Sequence, residues 1–168
     1  MKKVILIAAA VMTLASCTSK RENPFLTEWD TPYGIPPYDK IQVDDYIPAL
    51  QAGIEQNNKE IEDIVNNPEA PPFDNTLVPL ALSGEIISKV SGVLYNITET
   101  DKTAELDSVM ELATPMLSNH SDNINFNKGL YARVKAVYEG DQSKLTREQQ
   151  MCLKKYYEGF KRNGVGLP

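Results

Sequence analysis

From Ile41 onward, apolar residues recur at helical spacing. Val43, Ile47, Leu50, Ile54, Ile61 and Ile64 follow one another at steps of three, four or seven, so they share one face. The spacing predicts a helix over 44–65, with Asp44 as N-cap and Pro48 in the first turn, where its missing N–H costs nothing. Asn66-Asn67-Pro68 stops it, and 68–72 is a rigid turn. A second helix opens the same way, on Asp74 or Asn75 with Pro79 in its first turn, and carries Leu80, Ile87, Val90, Leu94 and Ile97 as its stripe. Its small residues Gly84, Ser91 and Gly92 predict close approach of a neighbouring helix. A third runs from Thr103 to Asn119 or beyond, with Leu106, Val109, Met110, Ala113 and Leu117 inward and Pro115 expected to kink it. A fourth covers 128–139, with Leu130, Val134 and Val137 inward and Gly140 as its breaker. A fifth starts at Thr146, in a capping box with Gln149, and runs to Arg162 before Asn163-Gly164. No segment has a convincing strand period. The expected class is all-α, an antiparallel bundle of about five helices.

Upstream of Ile41 the pattern changes twice. Lys2 and Lys3 precede an apolar run, Val4 to Leu14, broken only by Thr13. That run is shorter than the ~20 residues a spanning helix needs, so residues 1–16 read as a signal peptide. Leu14-Ala15-Ser16-Cys17 resembles a bacterial lipobox, whose thiol forms a thioether to diacylglycerol and becomes the mature N-terminus. Cys17 is therefore the expected lipidation site, and the expected location is the cell envelope, lipid-anchored at the periplasmic face or outer membrane. Residues 17–40 read as a tether and an extended arm. Pro24, Pro32, Pro36 and Pro37 exclude a helix there, while Phe25, Trp29, Tyr33 and Tyr38 make it too aromatic for a free linker. The arm is expected to bury Phe25, Trp29 and its tyrosines on a protein surface. Residues 41–168 form the helical region.

Composition narrows the chemistry. The 168 residues hold one histidine and two cysteines, and the formal net charge is −6. A nucleic-acid binder would want a basic face, so nucleic acid is not an expected partner. Zinc sites need three or four His, Cys or carboxylate ligands, and most hydrolytic nucleophiles need a histidine base. The chain has no HExxH, no CxxC and no GxSxG. Gly164-Val165-Gly166 lacks the third glycine and the preceding strand of a phosphate loop. His120 is expected at a helix end, interacting with the local dipole or capping the chain. Cys152, on the stripe with Leu153, Tyr156 and Phe160, is expected to be a buried structural thiol. The acidic groups Asp44-Asp45 and Glu60/Glu62/Asp63 look like caps and solvated faces. On these grounds no catalytic, cofactor-binding or metal-ligating residue is assigned.

Several segments, taken in order, resemble the start of bacterial peptidyl-dipeptidases of the Dcp type and their relatives in the thimet oligopeptidase family. They are Asn23-Pro24-Phe25, then Ile35-Pro36-Pro37-Tyr38-Asp39-Lys40-Ile41 and Asp45-Tyr46-Ile47-Pro48-Ala49-Leu50. Asn67-Pro68 and Phe73-Asp74-Asn75-Thr76 follow, then Ala113-Thr114-Pro115-Met116-Leu117-Ser118-Asn119-His120, Leu130-Tyr131-Ala132-Arg133-Val134 and the ending Phe160 to Pro168. The resemblance implies a zinc metallopeptidase that cuts short unfolded peptides, releasing C-terminal dipeptides. Zinc would be expected in the full-length member, held by an HExxH helix that this chain does not contain. The expectation is that these residues are the N-terminal helical portion of a longer peptidase, inactive without the missing catalytic domain. The alternative is a lipid-anchored helical peptide-binding or scaffold protein without catalysis; an unrelated helical lipoprotein is the third reading.

Overall fold

A computed structural model describes residues 21–166. The signal peptide and Cys17 lie outside the described residues, as do Leu167 and Pro168. The chain is all-α: helices α1 (Tyr46–Val65), α2 (Leu77–Leu82), α3 (Glu85–Thr100), α4 (Ala104–Asn125), α5 (Lys128–Glu139) and α6 (Arg147–Arg162) follow short 3-10 turns at Pro24–Leu26, Pro32–Gly34 and Val43–Asp45.

The caps explain most of the boundaries. The Thr103 hydroxyl accepts the Leu106 N–H, Asn127 accepts that of Leu130, and Thr146 with Gln149 closes the expected capping box. Asp44 does not cap α1. The carboxylate of Asp45 instead accepts the Gln42 N–H at 2.7 Å and pairs with Arg21, which tightens 43–45 into a 3-10 turn before the helix begins. α4 runs through Pro115 to Asn125 as one element, beyond Asn119. Gly140 ends α5 at an ordinary negative φ rather than in a left-handed cap.

The expected second helix is two. α2 stops at Ser83, whose backbone turns extended, and Gly84 sits in the left-handed region at φ 75° before α3 starts. A glycine adopts that conformation without the steric cost of a Cβ. Leu77–Thr100 is apolar and long enough to cross a membrane by length and composition, but it is broken at this joint and Leu80, Val90 and Leu94 are spent on the protein core.

The buried side chains fall into two clusters that share α1. The first joins Phe25, the N-terminal half of α1 (Tyr46, Ala49, Leu50), Val90 and Leu94 of α3, and Val109 and Ala113 of α4. The second joins the C-terminal half of α1 (Ile61, Ile64) to Leu77 of α2, Leu130 and Val134 of α5, and Leu153 of α6. α1 can approach α3 closely because Gly53 has no side chain; a Cβ there would meet Ile86 Cγ2 at 2.9 Å. Gly129 does the same for Val65 at 2.6 Å. Gly92, expected at such an approach, faces open space, and Ser91 bonds back to the Ile87 carbonyl.

The arm's aromatics are held at one end only, although Pro37 near the other end is buried as well. Phe25 is fully buried, with its ring 5.2 Å from that of Tyr46, and Trp29 Nε1 donates to the Pro24 carbonyl at 2.9 Å. Lys89 lies over the Trp29 ring. The tyrosines do not share this burial: Tyr33 is fully exposed and Tyr38 about half. Two 3-10 turns bend the segment, so only its first aromatics reach the core.

Candidate functional site

A buried polar relay crosses the interior between the two cores. Asn57 lies on the inner face of α1 between Leu50 and Ile61 and is 3% exposed; His120, on α4, is 5% exposed. His120 Nε2 lies 2.8 Å from Asn57 Oδ1. Asn57 Nδ2 donates to Glu60 Oε2 at 3.0 Å, and the same oxygen accepts the Gly84 N–H at 2.9 Å. Because the amide of Asn57 gives its N–H to a carboxylate, its oxygen faces the imidazole. Nε2 is then the protonated nitrogen of a neutral ring. Among the described residues, His120 Nδ1 is buried with no hydrogen-bond partner.

The relay sets the charge state of its ends. Burial pushes the His120 imidazole below its ordinary value, favouring the neutral form. Burial pushes the Glu60 carboxyl up, but hydrogen bonds from Gln56, the Gly84 N–H and Asn57 outweigh it and hold the group low. Glu60 is thus an ionised acceptor at the start of α3, where the helix N-terminus favours negative charge. His120 is therefore not at a helix end as expected, and Glu60 is not merely a solvated face.

Five of the resemblance-bearing segments also meet in space, in two groups. Asn23 Nδ2 donates to the Asp45 carbonyl at 2.9 Å, and Phe25 packs on Tyr46, so the first and third segments form one contact. Arg133 donates to the Asn67 carbonyl at 2.8 Å and to Asn75 Oδ1 at 3.0 Å, fastening the Pro-rich turn onto α5. These residues are braces between elements rather than reacting groups.

Two open clefts are of interest, one of them beside the relay. One of about 430 Å³ lies beside Glu60, with Asp63, Asn67, Asn75 and Leu82 on its walls. Another of about 610 Å³ opens between the end of α4 and α6, with Leu80, Ile124, Tyr156 and Phe160 apolar and Lys155 and Arg162 as its charged side chains. Cys152 lines this second cleft and is half-buried, so it is less enclosed than expected. Among the described residues no three His, Cys, Asp or Glu side chains gather to hold a metal. Asn57 was discoverable in the sequence as an amide on the apolar stripe of α1; nothing local marked its partner on α4.

No family model matches the chain. It is 39% identical over 117 residues to the dipeptidyl carboxypeptidase of Salmonella typhimurium and 36% identical over 121 residues to that of Escherichia coli. These matches cover 70% and 72% of this chain, but 17% and 18% of the relatives. Oligopeptidase A of Escherichia coli is 24% identical over 147 residues, 87% of this chain and 21% of that protein. The chain therefore spans about a fifth of the length of the relatives it matches.

Proposed function

We propose, for a chain that belongs with the Dcp-like members of the thimet oligopeptidase family, that it forms the non-catalytic helical region of a zinc metallopeptidase acting on short peptides. The observation that carries this reading is the 36–39% identity to dipeptidyl carboxypeptidases over about seven-tenths of the chain. Release of C-terminal dipeptides is the activity those names suggest. The described residues do not fit a zinc site of their own. The single imidazole is buried and already bonded to Asn57 through Nε2, with no carboxylate or thiolate gathered beside it to complete a ligand set. In this reading the metal and the water it activates belong to residues outside the chain, and the helices act as a wall against which peptide lies. The purified 168-residue chain with added zinc is expected to release nothing from short peptides. Chelator-sensitive dipeptide release from it would overturn the assignment.

A second reading, peptide binding without catalysis, draws on the apolar cleft between α4 and α6 with its two cationic side chains. Titration calorimetry with short peptides separates the two: measurable heat favours binding by the helices themselves, and none at high peptide concentration counts against it. We further propose that the chain is exported and lipidated at Cys17, on the strength of the Leu14-Ala15-Ser16-Cys17 pattern. Cys17→Ser should abolish lipid labelling and membrane retention; unchanged membrane association would sink the anchor.

A further inference from the structure

The relay occupies a position of mechanical consequence. α1 passes through both cores, and Asn57 lies on it between Leu50 of the first and Ile61 of the second. The chain crosses between the same cores a second time at the α2–α3 joint, where Gly84 is the residue that Glu60 holds. His120 adds α4 to the same knot. Three elements are thus tied at one point, by polar groups, in a seam between two apolar clusters.

We propose that His120, Asn57 and Glu60 form an acid-released latch that ties the α2–α3 joint to α1 and α4. With the imidazole neutral, Nε2–H donates to Asn57 and the relay is complete. A second proton must go to Nδ1, which is buried and has no acceptor within hydrogen-bond distance among the described residues. The added charge and N–H are then satisfied only if the ring turns out to water. Asn57 loses its partner, and the grip of its amide on Glu60, and of Glu60 on Gly84, loosens with it.

The neighbouring charges do not stabilise the imidazolium. From α1, Glu60 reaches the ring only through Asn57, and Lys59 is paired with Glu55. From α3, Glu85 is paired with Lys89 at 2.6 Å. From the 43–45 turn, Asp45 is paired with Arg21. On α4 itself, Glu111 and Asp122 are the nearest carboxylates in sequence, and burial is the cause that lowers the ring's proton affinity, with no charged group adding to it. The closed form therefore binds this proton less readily than the open one. The latch is whole above the ordinary histidine value of 6.5 and weakens as pH falls below it, until the lowered value of the closed form is reached. Glu60, held low, adds a second loss only as pH falls below the ordinary 4.5 toward its own lowered value.

His120 is the single histidine of the chain, so its imidazole resonances are unambiguous in an NMR titration. The full chain should show a neutral Nε2–H tautomer at pH 7.5 and titrate below 6.5. Across pH 7 to 5, amide protection at Gly84 and Ser88, whose N–H groups bond to Glu60 and to the Gly84 carbonyl, should fall about tenfold for each unit by which that value is lowered, while Leu130 and Leu153 keep theirs. His120→Gln, which keeps a donor for Asn57 but cannot take a proton, should remove the pH step. If that variant does not fold, the wild-type titration alone decides. A ring that titrates at or above 6.5, or protection at Gly84 and Ser88 that is flat through the titration, would overturn the proposal.

Discussion

The first core is closed by a segment distant in sequence, the Phe25–Trp29 arm laid across α1 and α3. The second is closed by a pair of helices, α5 folded onto α6 across a short loop, laid against the end of α1 and α2, which are also distant from them in sequence. Their materials differ accordingly. The first packs small on large, with Ala49 and Ala113 among its buried residues and Gly53 bare against Ile86. The second is edged by aromatic stacking, Tyr138 on Tyr157 at 4.0 Å and Tyr131 on Tyr157 at 6.1 Å, and by the Arg133 brace. Close backbone approach gives the first core a tight fit that depends on the arm. Broad rings and a guanidinium give the second a fit in which a hairpin of helices is braced onto the 67–75 turn.

Truncating the arm's anchor gives the largest expected effect. Phe25→Ala removes a fully buried ring and should cost about 3–5 kcal/mol. Trp29 is the single tryptophan, so its emission should shift to the red as the arm lifts, with exchange at Leu130 and Leu153 unchanged. Emission that stays put would mean the arm is held by something other than Phe25. Next come paired truncations, one per core. Leu50→Ala and Leu130→Ala should each cost about 2–5 kcal/mol in denaturant unfolding, since both side chains are buried. They share no contact cluster, so the double variant should be additive within about 0.5 kcal/mol. A larger coupling would mean that α1 transmits packing between the cores and that the division is only nominal. The smallest effect belongs to a cap. Thr146→Ala should cost about 1 kcal/mol and loosen the start of α6 without touching α3 or α4.

Much of this division was written in local patterns and some of it was not. The Thr146–Gln149 box and the 128–139 stripe place α5 and α6 by residues within a few positions of each other, and both helices lie where the spacing put them. The α2–α3 break was hidden because Leu80, Ile87, Val90 and Leu94 keep helical phase across it; the interruption comes from Gly84 taking a left-handed turn whose N–H is caught by Glu60, a partner on another helix. The burial of Phe25 and the exposure of Tyr33 cannot be told apart by aromatic content, because tertiary reach decides which ring finds the core. An end of α4 near Asn119 would leave His120 at a helix terminus, yet α4 continues to Asn125. Asn57 gave the one readable hint of a seam: a polar side chain inside an apolar stripe demands a partner. The site's chemistry was legible chiefly as resemblance, and the residues that carry it, Asn23, Asn75 and Arg133, serve as ties between elements.

The division itself is tested most directly by native-state amide exchange on the full chain at neutral pH, with denaturant raised in small steps. Two opening free energies are expected, one shared by Leu50, Leu94 and Val109 and another by Leu130, Val134 and Leu153, with the boundary falling at Gly84 and along α1 between Gly53 and Ile61. A single value common to all six amides would contradict the two-core structure and leave the polar relay as one brace inside one core.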